Sequence, residues 1–320
     1  MAQIDGPRLL NPDEYDEMMR MLDRYFAYER GGMAARLPHC YDPDRPEDHA
    51  IIKVDGEIVS HVGAIPETLA IGEGETIDCR GIAGVATDKR HRGNGFMSQL
   101  LRFWFDQMKS EAVPLLELGG NRQRYNHFGW ESVGREYRYV LDERSVNADE
   151  GDGTITAYEE RSKQLDFLRG IHEAEPYRVQ RDRELSRSIY GQRGLELLLY
   201  EHGSDGAYIA MTRENREREI VEFGGSARGI ESLLARVFAA YDVNDLTTIV
   251  PSRHTRNQTF REHSRSWSVR SHRMVKIQDL ETVLAKFAPQ MSARLRRRDK
   301  VEEGAVTLGL QEENKRVTLT

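Results

Sequence analysis

The sequence predicts an α/β protein of the mixed (α+β) kind, with two successive units whose mixed central sheets are flanked by helices. A partial third α+β unit follows. Three observations carry this expectation. The order hairpin, strand, helix, strand, helix, strand can be read twice along the chain. A polar, glycine-rich stretch, Asn147-Ala-Asp-Glu-Gly-Asp-Gly153, separates the two readings as a linker would. The length of 320 residues exceeds what one ordinary core organises.

In the first unit, Leu10-Asn11-Pro12-Asp13-Glu14 starts a helix. Asn11 can cap it, Pro12 suits the first helical position, and Glu14 can reach back to the cap amide. Tyr15, Met18, Met19, Leu22 and Phe26 then recur at helical spacing and form an apolar face. Ile51 to Val54 and Ile58 to Val62 flank Asp55-Gly56, a pair suited to a tight hairpin turn. Thr76 to Ala86 read as a further strand after the Gly72-Glu73-Gly74 turn. A helix from about Asn94 carries Met97, Leu100, Leu101, Trp104 and Met108 on one face. The short strand Pro114 to Leu118 ends in Gly119-Gly120; a helical turn near Tyr125 and a strand from Tyr137 to Leu141 complete the unit.

In the second unit, Leu195 to Tyr200 and Ala207 to Met211 pair across the polar turn His202 to Gly206, and Glu219 to Phe223 follows as a third strand. A helix from about Gly229 to Tyr241, a strand from Leu246 to Val250, a helix from Arg253 to His263 and a strand from Ser266 to Ile277 come next. The halves share negligible identity, so the repeat rests on element order. The last segment offers a helix (Leu280, Val283, Leu284, Phe287) and a hairpin, Val306 to Leu310 with Val317 to Leu319, around Glu312-Glu313-Asn314. It buries too little to stand alone, so it either docks on the other units or opens a third domain.

Composition narrows the function. Hydrophobic residues make up 38% and charged residues 31%, the balance of a globular and not a disordered chain. A formal net charge of -7 disfavours nucleic acid and suits cationic partners, amines among them. Cys40 and Cys79 give no disulfide framework and no metal-ligand spacing, and no His/Cys cluster suggests a metal. Reduced thiols, no visible secretory signal and no apolar run near the roughly 18 residues of a membrane helix point to a cytoplasmic protein without a membrane partner.

The informative stretch is Gly84 to Met97, in which Arg90-His91-Arg92-Gly93-Asn94-Gly95 joins a strand to the start of an amphipathic helix. Helix N-termini present unpaired amides and a partial positive charge, so phosphate oxygens bind there. Gly93 and Gly95 remove the β-carbons that would keep a pyrophosphate from the backbone. Lys89, Arg90, His91 and Arg92 add positive potential. A P-loop is excluded because no Gly-Lys-Ser/Thr follows the glycines. Gly93-x-Gly95-x-x-Ser98 approximates a dinucleotide fingerprint, but a charged segment intervenes between strand and glycine and Ser98 replaces the third glycine. The plainer reading is a glycine turn before a helix, with solvated basic residues.

In this context the chain resembles the GCN5-related N-acetyltransferases (GNAT). The resemblance rests on the capped first helix, the Asp-Gly hairpin, the long strand, Arg-x-x-Gly-x-Gly, and the helix and strand that follow. Residues 121 to 130, in which Tyr125 is followed by Phe128-Gly129-Trp130, resemble that family's second cofactor segment with the spacing of the enhanced intracellular survival (Eis) branch. That branch has a GNAT domain, a degenerate second GNAT domain and a C-terminal sterol-carrier-like domain. The resemblance implies tandem GNAT folds: residues 1–146 as the catalytic acyl-CoA-binding domain, 154–277 as the degenerate copy, and 278–320 as the start of a sterol-carrier-like domain. Met274 to Leu280 resembles the junction with the third domain.

The resemblance also implies roles. Ala83, Gly84 and Val85 would lie along the pantetheine of acetyl-CoA, with the Val85 amide as donor to the developing oxyanion. Arg90 and the residues His91, Arg92, Gly93, Asn94, Gly95 and Phe96 would cradle the pyrophosphate, and Gly120 and Asn121 would border the cofactor from the next strand. Tyr125 would be the general acid, because a phenol protonated at neutral pH can give its proton to the departing thiolate. Its plainer role is a ring packed under the helix; His127, two residues on, is either a proton shuttle or a surface histidine. Glu117 would accept the amine's proton directly or through water, or is only a salt-bridged strand end. In the Eis branch a terminal carboxylate acts as base; here the chain ends at Leu319-Thr320. The second half has only Gly224-Gly225-Ser226 before its helix, which suits a structural copy, and Arg294 to Arg298 reads as a solvated helix end.

The expectation is an acetyl-CoA-dependent N-acetyltransferase acting by direct attack of a primary amine in a ternary complex. The acceptor would be an amine-bearing small molecule or a lysine side chain, and hexamers are common in the resembling branch. The competing class is a non-catalytic acyl-CoA or lipid-binding module.

Overall fold

The computed structural model describes residues 2–26, 32–146, 151–212, 217–296, 306–310 and 315–319. Part of the expected linker (147–150), residues 297–298 of the arginine run, the turn Glu312 to Asn314 and Thr320 lie outside the described residues.

The first half contributes β1 (Ile4–Leu9), α1 (Tyr15–Asp23), α2 (Gly32–Arg36), β2 (His49–Val54), β3 (Glu57–Ile71) and β4 (Thr76–Thr87). It continues with α3 (Phe96–Ser110), β5 (Leu115–Leu118), α4 (Arg122–Tyr125), β6 (Glu131–Val133) and β7 (Glu136–Leu141). The second half supplies β8 (Thr154–Ala157), α5 (Ser162–Ala174), β9 (Tyr177–Val179), α6 (Arg183–Tyr190), β10 (Leu195–His202) and β11 (Asp205–Thr212). Then come β12 (Glu217–Gly225), α7 (Ala227–Ala240), β13 (Asp245–Pro251), α8 (Asn257–Glu262), β14 (Ser266–Arg270) and β15 (Arg273–Ile277). The chain closes with α9 (Leu280–Arg296), β16 (Val306–Leu310) and β17 (Lys315–Leu319). Among the described residues no helix is long and apolar enough to cross a membrane.

Local chemistry sets the elements that frame the site. The Asn11 amide donates to the Glu14 carboxylate at 3.1 Å, closing the expected capping interaction before α1. Asp55 and Gly56 both take positive φ, and β2 and β3 pair antiparallel across them. On α3, Leu100, Leu101, Trp104 and Met108 are buried against Ile52, Val62, Ile82 and Leu116 of the sheet. The long β3 and β4 pair from Ala70↔Thr76 to Ser60↔Thr87, broken once between His61 and Gly63.

Two mixed sheets form, an eight-stranded one ordered β1-β2-β3-β4-β5-β15-β6 with β9 on β3, and a seven-stranded one ordered β14-β7-β13-β12-β11-β10-β8. This is the arrangement of tandem GNAT-like folds. Two details correct the reading from sequence. Tyr137 to Leu141 does not complete the first unit: β7 lies between β13 and β14 in the second sheet. Ser266 to Ile277 is not one strand: it breaks at residues 271–272, and β15 crosses to the first sheet between β5 and β6. The halves therefore exchange strands. Met274, buried among Leu116, Leu118 and Trp130, shows why: its side chain completes the core under α3.

Helix α9 docks on the opposite face of the first sheet, where Val283 packs among Ile71, Ile77, Cys79 and Leu115. β16 and β17 pair antiparallel, as the final hairpin predicted.

Candidate active site

β4 and β5 run parallel and hydrogen-bond only from Cys79↔Leu115 to Gly81↔Glu117. Beyond Gly81, β4 continues to Thr87 with, among the described residues, a strand neighbour on the β3 side alone. The strands thus diverge, and among the described residues one edge of 82–86 has no strand partner and can pair with a ligand's amides. Within that edge Gly84 and Val85 together face Val62, a bulge with Gly84 at φ +59°.

The bulge is held from below. A histidine ring nitrogen, Nδ1 of His61, lies 2.7 Å from the Gly84 carbonyl, and since a carbonyl only accepts, that nitrogen carries the proton. His61 Nε2 is then an acceptor, and His49 Nδ1, 3.0 Å away, donates to it. Both rings are fully buried, and burial pushes both below the usual histidine value, to about 4 for His61 and about 3 for His49. Tyr41 stacks on His49 with ring centroids 5.6 Å apart, and Trp104 Nε1 donates to the Val62 carbonyl at 2.9 Å from the other face. Two neutral histidines, missed in the sequence because each looks like an ordinary strand residue, therefore fix the bulge.

A cleft of ≈ 610 Å³ opens beside this edge, lined by Val85 to Thr87, His91 to Gly93, Gly95 to Met97, Arg124, Tyr25 and Phe26. Its floor is the N-terminus of the fifteen-residue α3, with Gly95 as left-handed cap, no side-chain cap and no acidic residue in the first turn. Gly93 and Gly95 have φ +85° and +75°, and a β-carbon at either would meet nothing within 4 Å. Open space, free amides and His91 and Arg92 at one helix start fit the pyrophosphate of acetyl-CoA.

Not all expected residues line the cleft. The Arg90 guanidinium turns back to Asp88 at 3.2 Å and to Glu57 at 3.7 Å. Asp88 also accepts from the Arg90 amide, and these bonds hold its carboxyl well below the usual range. Arg90 thus shapes the loop. Asn94 closes it by donating to the His91 carbonyl at 3.0 Å. Asn121 caps α4 by accepting from the Gln123 amide at 2.8 Å. Gly120 makes room for Tyr125, whose ring would sit 2.7 Å from a β-carbon there. Tyr125 is buried, edge-on to Trp130 at 6.0 Å, and burial raises its phenol while Arg124 opposes the shift. Arg124, not singled out from sequence, does line the cleft.

On the other face of the sheet, at the closed end of the divergence, Glu117 pairs with Arg273 of β15 at 2.9 Å. That pair exists only because of the strand exchange. Nearby Glu67 of β3 reaches over Gly81, where a β-carbon would lie 3.1 Å from Glu67 Oε1. Its Oε2 is buried and accepts no hydrogen bond among the described residues. Burial, then the neighbouring Glu117 charge, push Glu67 up to about 7, against Arg273 and Arg181. Glu67 lines a second cleft of ≈ 1040 Å³ between the first sheet and residues 178–189. Its place in a strand of ordinary composition gave no signal in the sequence.

The second sheet repeats the divergence, with side chains packed beside it. β12 and β13 pair in parallel only from Glu217↔Asp245 to Ile220↔Thr248. There Phe223 packs on Phe260 and His254, and Arg256 Nε donates to the Gly225 carbonyl at 2.7 Å. The Ser226 hydroxyl caps α7 by accepting from Gly229. A ligand would have to displace all of these. Between the sheets, Arg181 grips Glu222 through two bonds of 2.9 and 2.8 Å, and the Tyr208 hydroxyl donates to Glu222 at 2.7 Å.

Residues 7–133 match the acetyltransferase (GNAT) domain family. No curated protein matches the chain. Among solved structures, a GCN5-related N-acetyltransferase from Anabaena variabilis has TM-score 0.72 at 14% identity, over 98% of this chain and 80% of that one. A protein of unknown function from Enterococcus faecalis, described as a probable N-acyltransferase, has TM-score 0.70 at 17% identity, over 90% and 75%. Eis1 from Mycobacterium abscessus has TM-score 0.64 at 13% identity, over 89% and 76%. Residues 7–133 are thus the part that matches the GNAT acetyltransferase domain, and the solved structures share the fold of the chain.

Proposed function

We propose that the chain is an N-acetyltransferase that takes acetyl-CoA as donor and acetylates a primary amine by direct attack in a ternary complex. The observation that carries this reading is the one-sided edge of β4 beside the open, glycine-flanked start of α3. The edge at Ala83 to Val85 suits a pantetheine chain, and residues His91 to Phe96 suit its pyrophosphate, with Gly120 and Asn121 on the far border. The Val85 amide serves as oxyanion donor, held by the bulge that His61 supports. Tyr125 supplies the proton for the leaving thiol, since burial keeps its phenol protonated at neutral pH. Glu117 could take the amine's proton only by loosening its pair with Arg273. Residues 154–277 act in this reading as a structural copy that walls the acceptor cleft, and 278–320 begin a further domain.

One observation favours the second reading, a non-catalytic acyl-CoA-binding module: the buried Tyr125 does not line the cleft. Thiol release from acetyl-CoA, measured with a polyamine, a lysine peptide and small amines, separates the two. The enzyme reading expects release stimulated by at least one amine; tight acetyl-CoA binding with none would leave only the module. In an active protein Tyr125→Phe should lower kcat about 10²-fold with acetyl-CoA affinity unchanged. Full activity in that variant would remove Tyr125 as the acid.

A further inference from the structure

We propose that Glu67 is the base of the reaction, receiving the acceptor's proton as the amine enters through the cleft between the first sheet and residues 178–189. This rests on the acyltransfer reading above. Gly81 is the last residue of β4 paired with β5, so it marks where the divergence begins. The Glu67 carboxylate occupies the space that a side chain at 81 would fill. Glu67 lines this cleft together with Cys79 and Arg80, the β4 residues that lead along the strand to the free edge at Ala83 to Val85.

Glu117, the other carboxylate here, is committed to Arg273. Glu67 has a buried oxygen with no hydrogen-bond partner among the described residues, which is costly unless a ligand or a proton satisfies it. An ammonium group supplies both. The charged and titratable groups facing Glu67 are Glu117 from β5, Arg273 from β15, Arg181 from beyond β9, Cys79 from β4 and Cys40. Burial and Glu117 prevail over the two arginines and place the carboxyl near 7, where a general base works best.

The ammonium gives one proton to Glu67, directly or over one water, and Glu67 releases it to solvent through the cleft. The free amine forms a C–N bond to the acyl carbon while the C–S bond breaks. Tyr125 protonates the departing sulfur, and the nitrogen's second proton restores the phenol.

The test uses the full chain and the amine found active in the thiol-release assay. Glu67→Gln should lower kcat/KM about 10²- to 10³-fold and abolish the rise of activity through pH 7, while acetyl-CoA affinity is retained. Glu117→Gln should displace the rising limb to lower pH, because the like charge that raises Glu67 is gone. If Glu67→Gln fails to fold, the Glu117→Gln limb still decides. An unmoved limb, or a Glu67→Gln variant with wild-type rate and profile, overturns the assignment while leaving acyl transfer intact. Loss of activity in Glu117→Gln beside an active Glu67→Gln would give the role to Glu117. A wild-type protein that releases no thiol with any amine sinks acyl transfer itself, and Glu67 with it.

Discussion

Gly84 allows the site's geometry to be tested without knowing the acceptor. Replacing it by alanine adds a single methyl at φ +59°, and that methyl would sit 2.6 Å from the Tyr41 hydroxyl and 3.0 Å from His61 Cε1. Neither neighbour yields easily. Tyr41 is 2% exposed and stacked on His49, and His61 is fixed at both ring nitrogens. The left-handed backbone costs a non-glycine residue about 1–2 kcal/mol, and overpacking a closed site about 1–3 kcal/mol. A total near 3 kcal/mol corresponds to a fall in Tm of roughly 6–12 °C for a chain of this size. Gly93→Ala is the control. It has a similar φ of +85° but empty space around the added methyl, so only the backbone cost of about 1–2 kcal/mol remains. Its methyl would instead stand where a pyrophosphate approaches, so acetyl-CoA affinity should fall at least ~10-fold, about 1.4 kcal/mol. Differential scanning fluorimetry and isothermal titration with acetyl-CoA read both quantities. A Gly84→Ala protein melting within 2 °C of wild type, roughly what 1 kcal/mol would give, would refute the packing argument.

Two further perturbations probe parts away from the cofactor. Removing Glu222 strands the Arg181 guanidinium in the interior, so Glu222→Ala should cost about 3–5 kcal/mol in urea unfolding. A loss under 1 kcal/mol would mean that the pair contributes no more than a surface contact. In nitrogen-detected NMR, His49 and His61 should stay neutral from pH 7.5 down to 5; a ring titrating near its usual 6.5 would contradict the assigned tautomers. The unfolded chain takes up two protons below 6.5 that the folded chain refuses until about 4 and 3, so this contribution to stability is full above 6.5 and declines on acidification, by at most ~1.4 kcal/mol per pH unit for each ring. Glu67 and Asp48 act oppositely: their folded values near 7 and 6 lie above the ordinary carboxylate range, so the folded state gains as they bind protons on acidification.

The parts legible in the sequence are those whose cause is local. The Asn11–Glu14 cap, the Asp55-Gly56 turn and the glycines before α3 each follow from the conformations their own residues permit. Helices α5 and α6 are not legible in the sequence, because charged residues interrupt their apolar faces; Leu165 and Leu168 are buried, but their neighbours Lys163, Asp166 and Arg169 mask the period. The strand exchange was out of reach for a different reason. Tyr137 to Leu141 has the same alternation whichever sheet it joins, and partner choice is set by contacts more than a hundred residues away, such as Tyr139 with Asn257. Glu67 and the histidine pair belong to the same class: their chemistry comes from surroundings that distant strands supply.

The crossed strands constrain how the protein can be made. As the chain leaves the ribosome, β5 and β6 emerge long before β15, the strand that links them in the first sheet. Until Arg273 to Ile277 is synthesised, β5 presents an unpaired edge, and Glu117 lacks its arginine. Meanwhile β7 waits for β13 and β14. Neither sheet can finish alone, and the cleft-bearing first sheet matures late, by long-range pairing of the kind that slows folding. A genetic cut at the linker would therefore yield two incomplete sheets, whereas co-expressed fragments should recover a site only by trading β7 and β15 between them.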